Sequence, residues 1–186
     1  KGGIIRFNCS RTGQYTIINI TSTLQISKVN NTVIDGDGLI TLNGMNRVRI
    51  IMFDRANYPL TTPTLVVQRL RFINGRCNDS NGGCAVFQKS GGTTIVNSCY
   101  FENNTGPIAG QDTAGGSIWT IGGGTTTING SVFRQNSCSN GGAIGILGSG
   151  LAITNSHFAN NQATGSGGNP GNGGNGGAIS FDGQGR

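Results

Sequence analysis

The stretch Gly130–Gly150, "GSVFRQNSCSNGGAIGILGSG", contains the pattern that decides the fold of this chain. Phe133 is followed three residues later by Asn136, and Gly141-Gly142 opens a short apolar run after a polar loop. A helix of this composition would be destabilised by about 1 kcal/mol for each interior glycine. The stretch instead indicates short strands separated by turns at glycine and asparagine, which tolerate a left-handed backbone.

The same pattern recurs along the chain and therefore marks a structural repeat. Phenylalanines spaced 29, 32 and 25 residues apart begin the segments "FING", "FENN", "FRQN" and "FANN". Glycine pairs open the segments "GGCAVF", "GGSIWT", "GGAIGI" and "GGAISF". Strands this short bury their apolar side chains only when the units stack about 4.8 Å apart. The repeat therefore predicts an all-β fold, a parallel β-helix or β-solenoid with glycine-rich loops.

One aromatic side chain from each unit should lie in the core of this solenoid. The residues predicted to form this internal stack are Phe72, Phe101, Phe133 and Phe158. The turn asparagines can hydrogen-bond up and down the stack, as asparagine ladders do in other stacked strands.

The chain is predicted to form a single β-helix domain over residues 1–186, with two parts of different character. Residues 1–76 form N-terminal basic coils with ten bases and three acids, a net charge of +7. Residues 77–186 hold the glycine and phenylalanine repeats, with three bases and four acids, a net charge of −1. The last unit lacks the phenylalanine and asparagine half, which indicates a fragment of a longer chain.

The basic part contains two alternating segments, "RVRI" and "RLRF". In strands, this alternation places Arg47, Arg49, Arg69 and Arg71 on the outer face. They would form a basic stripe that binds an anionic glycan, or they are solvated side chains that discourage aggregation. Few aromatic residues lie between the bases, so no nucleic-acid partner is expected.

The repeats resemble those of polymorphic outer-membrane proteins of bacteria, because "GGAI" is followed by "F-x-x-N" units. More broadly, the chain is similar to surface proteins of the pectate-lyase-like superfamily, which have right-handed parallel β-helices. The resemblance implies a right-handed β-helix, of roughly 7–8 coils at this length, located outside the cell or on a bacterial cell surface. It implies little about activity, because this scaffold hosts lyases, hydrolases and adhesins alike.

Catalytic residues are hard to find in this sequence. The chain has seven acids, and only Asp35 and Asp37 lie close together, in "TVIDGDG". Asp54 follows roughly one coil later and would complete a weak carboxylate cluster for hydrolysis. The alternative is that Asp35 and Asp37 form a structural turn. His157 has no evident partner, and neither a metal site nor another cofactor is expected.

Five cysteines leave at least one without an internal partner: Cys9, Cys77, Cys84, Cys99 and Cys138. Cys77 and Cys84 flank the polar loop "CNDSNGGC" and either form a disulfide or remain buried thiols. A disulfide would indicate an oxidising compartment outside the cytoplasm. No apolar run reaches the ~18 residues of a transmembrane helix, so no such segment is expected.

Three functional hypotheses remain open. The first is a secreted or cell-surface β-solenoid without enzymatic activity, acting as an adhesin or structural segment that assembles end to end into filaments. The second is a lyase or hydrolase of acidic glycans whose site is incomplete in this chain. The third is a non-catalytic module that binds an anionic host or matrix glycan.

Overall fold

The computed structural model describes residues 2–9, 13–26, 29–54, 61–167 and 172–182. These ranges contain strands and turns and no helix. In chain order the strands are β1 (Gly3–Arg6), β2 (Thr16–Asn19), β3 (Leu24–Gln25), β4 (Thr32–Asn43), β5 (Ile51–Asp54), β6 (Thr64–Ile73), β7 (Val86–Lys89), β8 (Thr93–Asn97), β9 (Tyr100–Glu102), β10 (Ile118–Ile121), β11 (Thr125–Asn129), β12 (Val132–Arg134), β13 (Ser137–Cys138), β14 (Ile144–Leu147), β15 (Gly150–Thr154), β16 (His157–Ala159), β17 (Gln162–Ala163) and β18 (Ile179–Asp182).

All strand pairs are parallel, and each strand pairs with its equivalents in the preceding and following units. The ten-stranded sheet contributes two faces of a solenoid, and the six-stranded sheet β18-β14-β10-β7-β5-β3 forms the third face. Each strand of that third face belongs to one layer, which we call a rung. The rungs are numbered from 1 at β3 to 6 at β18, and each rung includes the strands of the other two faces that come just before its third-face strand in the chain. The six rungs make about five turns, so the fold class is confirmed and the number of coils is below the predicted 7–8.

The first two faces meet at a corner that needs left-handed backbone. Arg69, Ser98, Gly130 and Asn155 occupy this corner in rungs 3 to 6, with φ angles of 52°, 50°, 60° and 49°. The corner turns the chain within one residue, so β6 continues from the first face to the second without a loop. In rung 2 the same corner is wider, and the register shifts between Asp35 and Ile40.

The core lies between the three faces and contains a column of phenylalanine rings. The centroids of Phe72 and Phe101 are 4.9 Å apart, those of Phe101 and Phe133 are 4.6 Å apart, and those of Phe133 and Phe158 are 4.9 Å apart. The rings are within 5° of parallel, so one ring repeats in each of rungs 3 to 6. Leu42 pairs in register with Phe72 and begins the column in rung 2 with an aliphatic side chain.

The asparagine that ends the segments "FENN", "FRQN" and "FANN" points into the solenoid. The amide nitrogens of Asn104, Asn136 and Asn161 donate to the carbonyls of Phe72, Phe101 and Phe133 in the preceding rung, at 3.1, 3.1 and 2.9 Å. Their side-chain oxygens accept from the backbone N–H of the equivalent residue below, as Asn136 does from Asn104 at 3.0 Å. We call these three residues the inner asparagine ladder.

A second asparagine ladder runs along the outside of the same turn. The amide of Asn43 donates to Asn19, that of Asn74 to Asn43 and that of Asn103 to Asn74, at 2.9, 3.0 and 2.7 Å. This outer asparagine ladder connects rungs 1 to 4, whereas the inner ladder lies in rungs 4 to 6. Asn74 and Asn103 have positive φ angles, which asparagine tolerates better than most residues.

The glycine pairs are in register with one exception. One position of the turn is occupied by Gly83, Gly115 and Gly141, and all three have positive φ angles. They are in register because the backbone N–H of Gly83 donates to the carbonyl of Gly115, and that of Gly115 donates to the carbonyl of Gly141. The residue after this position is glycine in "GGSI" and "GGAI", but it is Cys84 in rung 3. The pair in "GGCA" is therefore offset by one residue from the pairs of the later units.

Candidate functional site

The two aspartates suggested for catalysis lie together at the widened corner of rung 2. Arg69 of the next rung lies between them, with its guanidinium nitrogens 2.6 Å from Asp35 and 2.6 Å from Asp37. Asp35 is buried and Asp37 is exposed. Both aspartates line a cavity of about 150 Å³, together with Arg6 from the strand below.

Asp35 is held as a carboxylate by its neighbours. Its side chain accepts hydrogen bonds from Arg69, from Gln68 at 3.0 Å and from the backbone N–H of Asp37 at 3.1 Å. The hydrogen bond from Arg69 is the main reason why the pKa of Asp35 lies well below its usual range, although burial acts in the opposite direction. A general acid needs a pKa raised towards neutral pH, so Asp35 is unsuited to that role.

Asp54 does not join this cluster. It ends β5 on the third face, in register with Lys89, whereas Asp35 lies at the corner between the other two faces. The three aspartates that the sequence suggested are therefore split between different corners of the solenoid. The reason is that residues one coil apart stack only when they share a register position, and Asp54 shares none with Asp35 or Asp37.

The four arginines of the expected basic stripe do not lie on one face, and this expectation is corrected. The segment from Met45 to Ile50 is a turn, so the alternation in "RVRI" does not describe a strand. Arg49 is buried, and its guanidinium contacts both oxygens of Asp79 at 3.0 and 2.7 Å. It also donates to the carbonyls of Gly82 and Gly83 and lies 4.8 Å from the ring centroid of Phe87.

The remaining arginines are exposed but differ in their surroundings. Arg71 lies over the ring of Tyr100, with its guanidinium carbon 4.8 Å from the ring centroid and one nitrogen 3.7 Å from Glu102. Arg47 is exposed in the turn before β5. Arg69 points at the two aspartates of its own corner. An anionic glycan would therefore meet three separate cations, two of which already have carboxylate partners.

The cysteines have three different environments. Cys77 and Cys84 form a disulfide that closes the loop containing Asp79, the partner of Arg49. Cys99 and Cys138 are buried thiols, and burial raises the pKa of each to about 12. A thiol with such a pKa is not a nucleophile at neutral pH. Cys9 is an exposed free cysteine.

A second cavity, of about 240 Å³, lies on the outer side of the third face and was not anticipated from the sequence. Trp119 and the two carboxylate residues Asp112 and Asp182 line it. Trp119 and Asp182 are 63 positions apart in two different units, so no local motif connects them. Across the residues that the structure describes, no group of three or more potential metal ligands occurs.

The fold defines the class of this protein as a parallel β-solenoid repeat protein. Comparisons with protein-family models, with curated proteins and with solved structures found no match to the chain. The predicted β-helix fold is confirmed, and no related protein supports the resemblance to polymorphic outer-membrane proteins. A search of the described ranges found no helix with the length and apolarity to span a membrane.

Proposed function

We propose that this chain is a non-catalytic β-solenoid with a structural or adhesive role, secreted or held at a bacterial cell surface. The observation that carries the proposal is the use of its polar side chains. The inner asparagine ladder binds carbonyls of the neighbouring rung, and Asp35 and Asp79 bind arginines of the neighbouring rung. These groups stabilise the stack, and Asp35, one of the three aspartates suggested for catalysis, is among them.

A location outside the cytoplasm is supported by the disulfide between Cys77 and Cys84. Disulfides persist in oxidising compartments and are rare where thiols are kept reduced. The dense rung-to-rung hydrogen bonding also suits a protein that must keep its shape without repair, because the buried side chains of Asn104 and Asn136 find their partners in the neighbouring rungs.

End-to-end assembly is the second part of the proposal. Rung 1 exposes the inward-facing side chain of Ile5, which is 45% accessible although it is in register with buried Ile34. Phe181 of rung 6, in register with buried Ile146, is 52% accessible. Unpaired strand edges with apolar side chains favour pairing with another strand. The occupant we propose is a second copy of this chain, stacked head to tail, since such heterologous contacts propagate into filaments.

Assembly is tested by sedimentation velocity over a range of protein concentrations, with negative-stain electron microscopy of the same samples. We expect concentration-dependent species that appear as rods longer than one chain. Ile5→Lys should abolish them, because a charge in the core column of Ile34 would be buried between the stacked ends. The matched control is Thr127→Lys on the side of rung 5, which should assemble normally. A parent chain that stays monomeric at every concentration would contradict the filament-forming role.

The enzymatic alternative is tested on a panel of uronate polymers. We expect no unsaturated products and no new reducing ends. Turnover by the parent chain that is lost in Asp37→Asn, with an unchanged melting temperature, would replace the structural proposal by the glycan-cleaving one.

A further inference from the structure

The cavity beside Trp119 lies on the outer side of the third face, across rungs 4 to 6. Trp119, Gly145 and Ser180 occupy one register column of that face. Gly145 has no side chain, and a Cβ atom built there would lie 2.5 Å from Cε3 of the indole. The glycine therefore leaves the space in which the indole of Trp119 lies against the next rung. Loop residues Gln111 and Asp112 close one side of the cavity.

The indole N–H of Trp119 is an unused hydrogen-bond donor. Trp119 is only 3% accessible, and its Nε1 atom has no hydrogen-bond partner among the residues described. Leaving a buried donor unpaired costs about 1–3 kcal/mol, and such groups in folded proteins call for an explanation. Because Trp119 lines the cavity, an oxygen atom of a ligand in the cavity can supply the missing acceptor.

The charge of the cavity is negative. The carboxylates of Asp112 and Asp182 line it, and neither forms a hydrogen bond or ion pair with its side chain in the described structure. No lysine, arginine or histidine is among the described residues of its lining. This composition disfavours uronates and phosphates and favours a ligand that carries a positive charge.

The remaining lining groups suit a ring that carries hydroxyl groups. Gln111 and Asn175 offer amides, Ser180 offers a hydroxyl, and Trp119 offers its indole N–H. The volume of about 240 Å³ is below the ~300–1,000 Å³ of pockets that enclose drug-sized ligands. The cavity therefore has room for about one sugar ring.

We propose that this cavity binds an amino-sugar residue with a protonated amine, such as a glucosamine unit of a cationic glycan. The ammonium group binds the carboxylates of Asp112 and Asp182, and a ring oxygen or hydroxyl accepts the indole N–H of Trp119. This site goes beyond the structural role proposed above and does not depend on it, because the residues involved take no part in the asparagine ladders or the phenylalanine column.

The proposal is tested by titrating the chain with glucosamine oligosaccharides and, in parallel, with their N-acetylated counterparts. Trp119 is the single tryptophan of the chain, so its fluorescence reports binding at this cavity directly. We expect a fluorescence change and a calorimetric signal with the amino form, and binding at least about tenfold weaker with the acetylated form, because acetylation removes the charge. Equal affinity for both forms, or no binding, would overturn the proposal.

Variants then assign the binding to these residues. Asp182→Asn and Trp119→Phe should each weaken calorimetric binding by about tenfold or more. The matched control is Asp54→Asn, because Asp54 occupies the same register column as Asp182 at the other end of the face. Unchanged binding in Asp182→Asn, which is an exposed position, would overturn the proposal even if Trp119→Phe failed to fold. Loss of glycan binding with intact end-to-end assembly would leave the structural role standing.

Discussion

The first three rungs and the last three rungs reach the same fold with different side chains. Rung 2 carries Leu42 at the register position where rungs 3 to 6 carry a phenylalanine, and at this end of the solenoid arginines bind aspartates between rungs, as Arg69 binds Asp35. Rungs 4 to 6 use stacked phenylalanines and the inner asparagine ladder. Both halves keep the same parallel register, so the solenoid depends on apolar side chains at matching positions and not on one motif.

The difference lies in how each half satisfies buried polar groups. An arginine–aspartate pair needs two charges held in a low-dielectric environment, which is favourable only with good geometry and extra hydrogen bonds. An asparagine ladder needs no charge, because each amide both donates and accepts within the stack. The ladder can therefore repeat in every rung, whereas each ion pair is a local solution at one corner.

The strongest way to break the phenylalanine-rich half is to remove one ring from its column. Phe133→Ala should lower the free energy of unfolding by about 3–5 kcal/mol, because it leaves a cavity between two stacked rings. Phe133→Leu keeps most of the volume and should cost about 1 kcal/mol. Urea denaturation measures both. If Phe133→Ala lost less than Phe133→Leu, the column would not be the core of this half.

The column was predictable because one phenylalanine recurs at a fixed place in each unit. The glycine and asparagine turns followed from the same repeat, apart from the one-residue offset at Cys84, whereas the corner between the first two faces was not predicted. Of the two alternating segments, "RLRF" lies in β6 as predicted, whereas "RVRI" is a turn. Local periodicity carries this information, since each strand obeys its own pattern before it stacks.

The candidate sites were much less predictable. Arg49 was expected in a strand, but its segment is a turn. The turn places the guanidinium against the carboxylate of Asp79, 30 residues later in the chain. Trp119 and Asp182 meet only because their units stack in register, with Gly145 between them. Contacts between side chains two rungs apart depend on loop lengths and exact register, which composition and spacing do not determine.

A smaller effect should distinguish the two asparagine ladders. Asn136→Ala should lower the free energy of unfolding by about 1–3 kcal/mol, because it removes the hydrogen bonds that the Asn136 side chain makes to the buried carbonyl of Phe101 and to the backbone N–H of Asn104. Asn43→Ala in the outer ladder should cost less, because its side chain is partly solvated and water replaces the lost bonds. Equal losses in urea denaturation would show that both ladders stabilise the fold in the same way.

The smallest expected effect concerns the ion pair of the basic half and its dependence on pH. The pKa of Asp35 is lowered in the folded protein, so its carboxylate stabilises the fold at pH values above about 4, the pKa of an unfolded aspartate. This contribution is lost as the pH falls below that value, because the folded state must then take up a proton that its hydrogen bonds oppose. Asp35→Asn should therefore cost on the order of 1 kcal/mol at pH 7, since Arg69 is half exposed and solvent weakens the pair.

The control for this prediction contacts the same guanidinium from the solvent side. Asp37 is 74% accessible, so Asp37→Asn should change stability little, and its asparagine tolerates the positive φ of 53°. Thermal melting from pH 7 to pH 3 should show a steeper decline for the parent and for Asp37→Asn than for Asp35→Asn. Parallel declines in all three proteins would mean that protonation of Asp35 is not coupled to folding. Rungs 1 to 3 would then be stabilised by their apolar core alone.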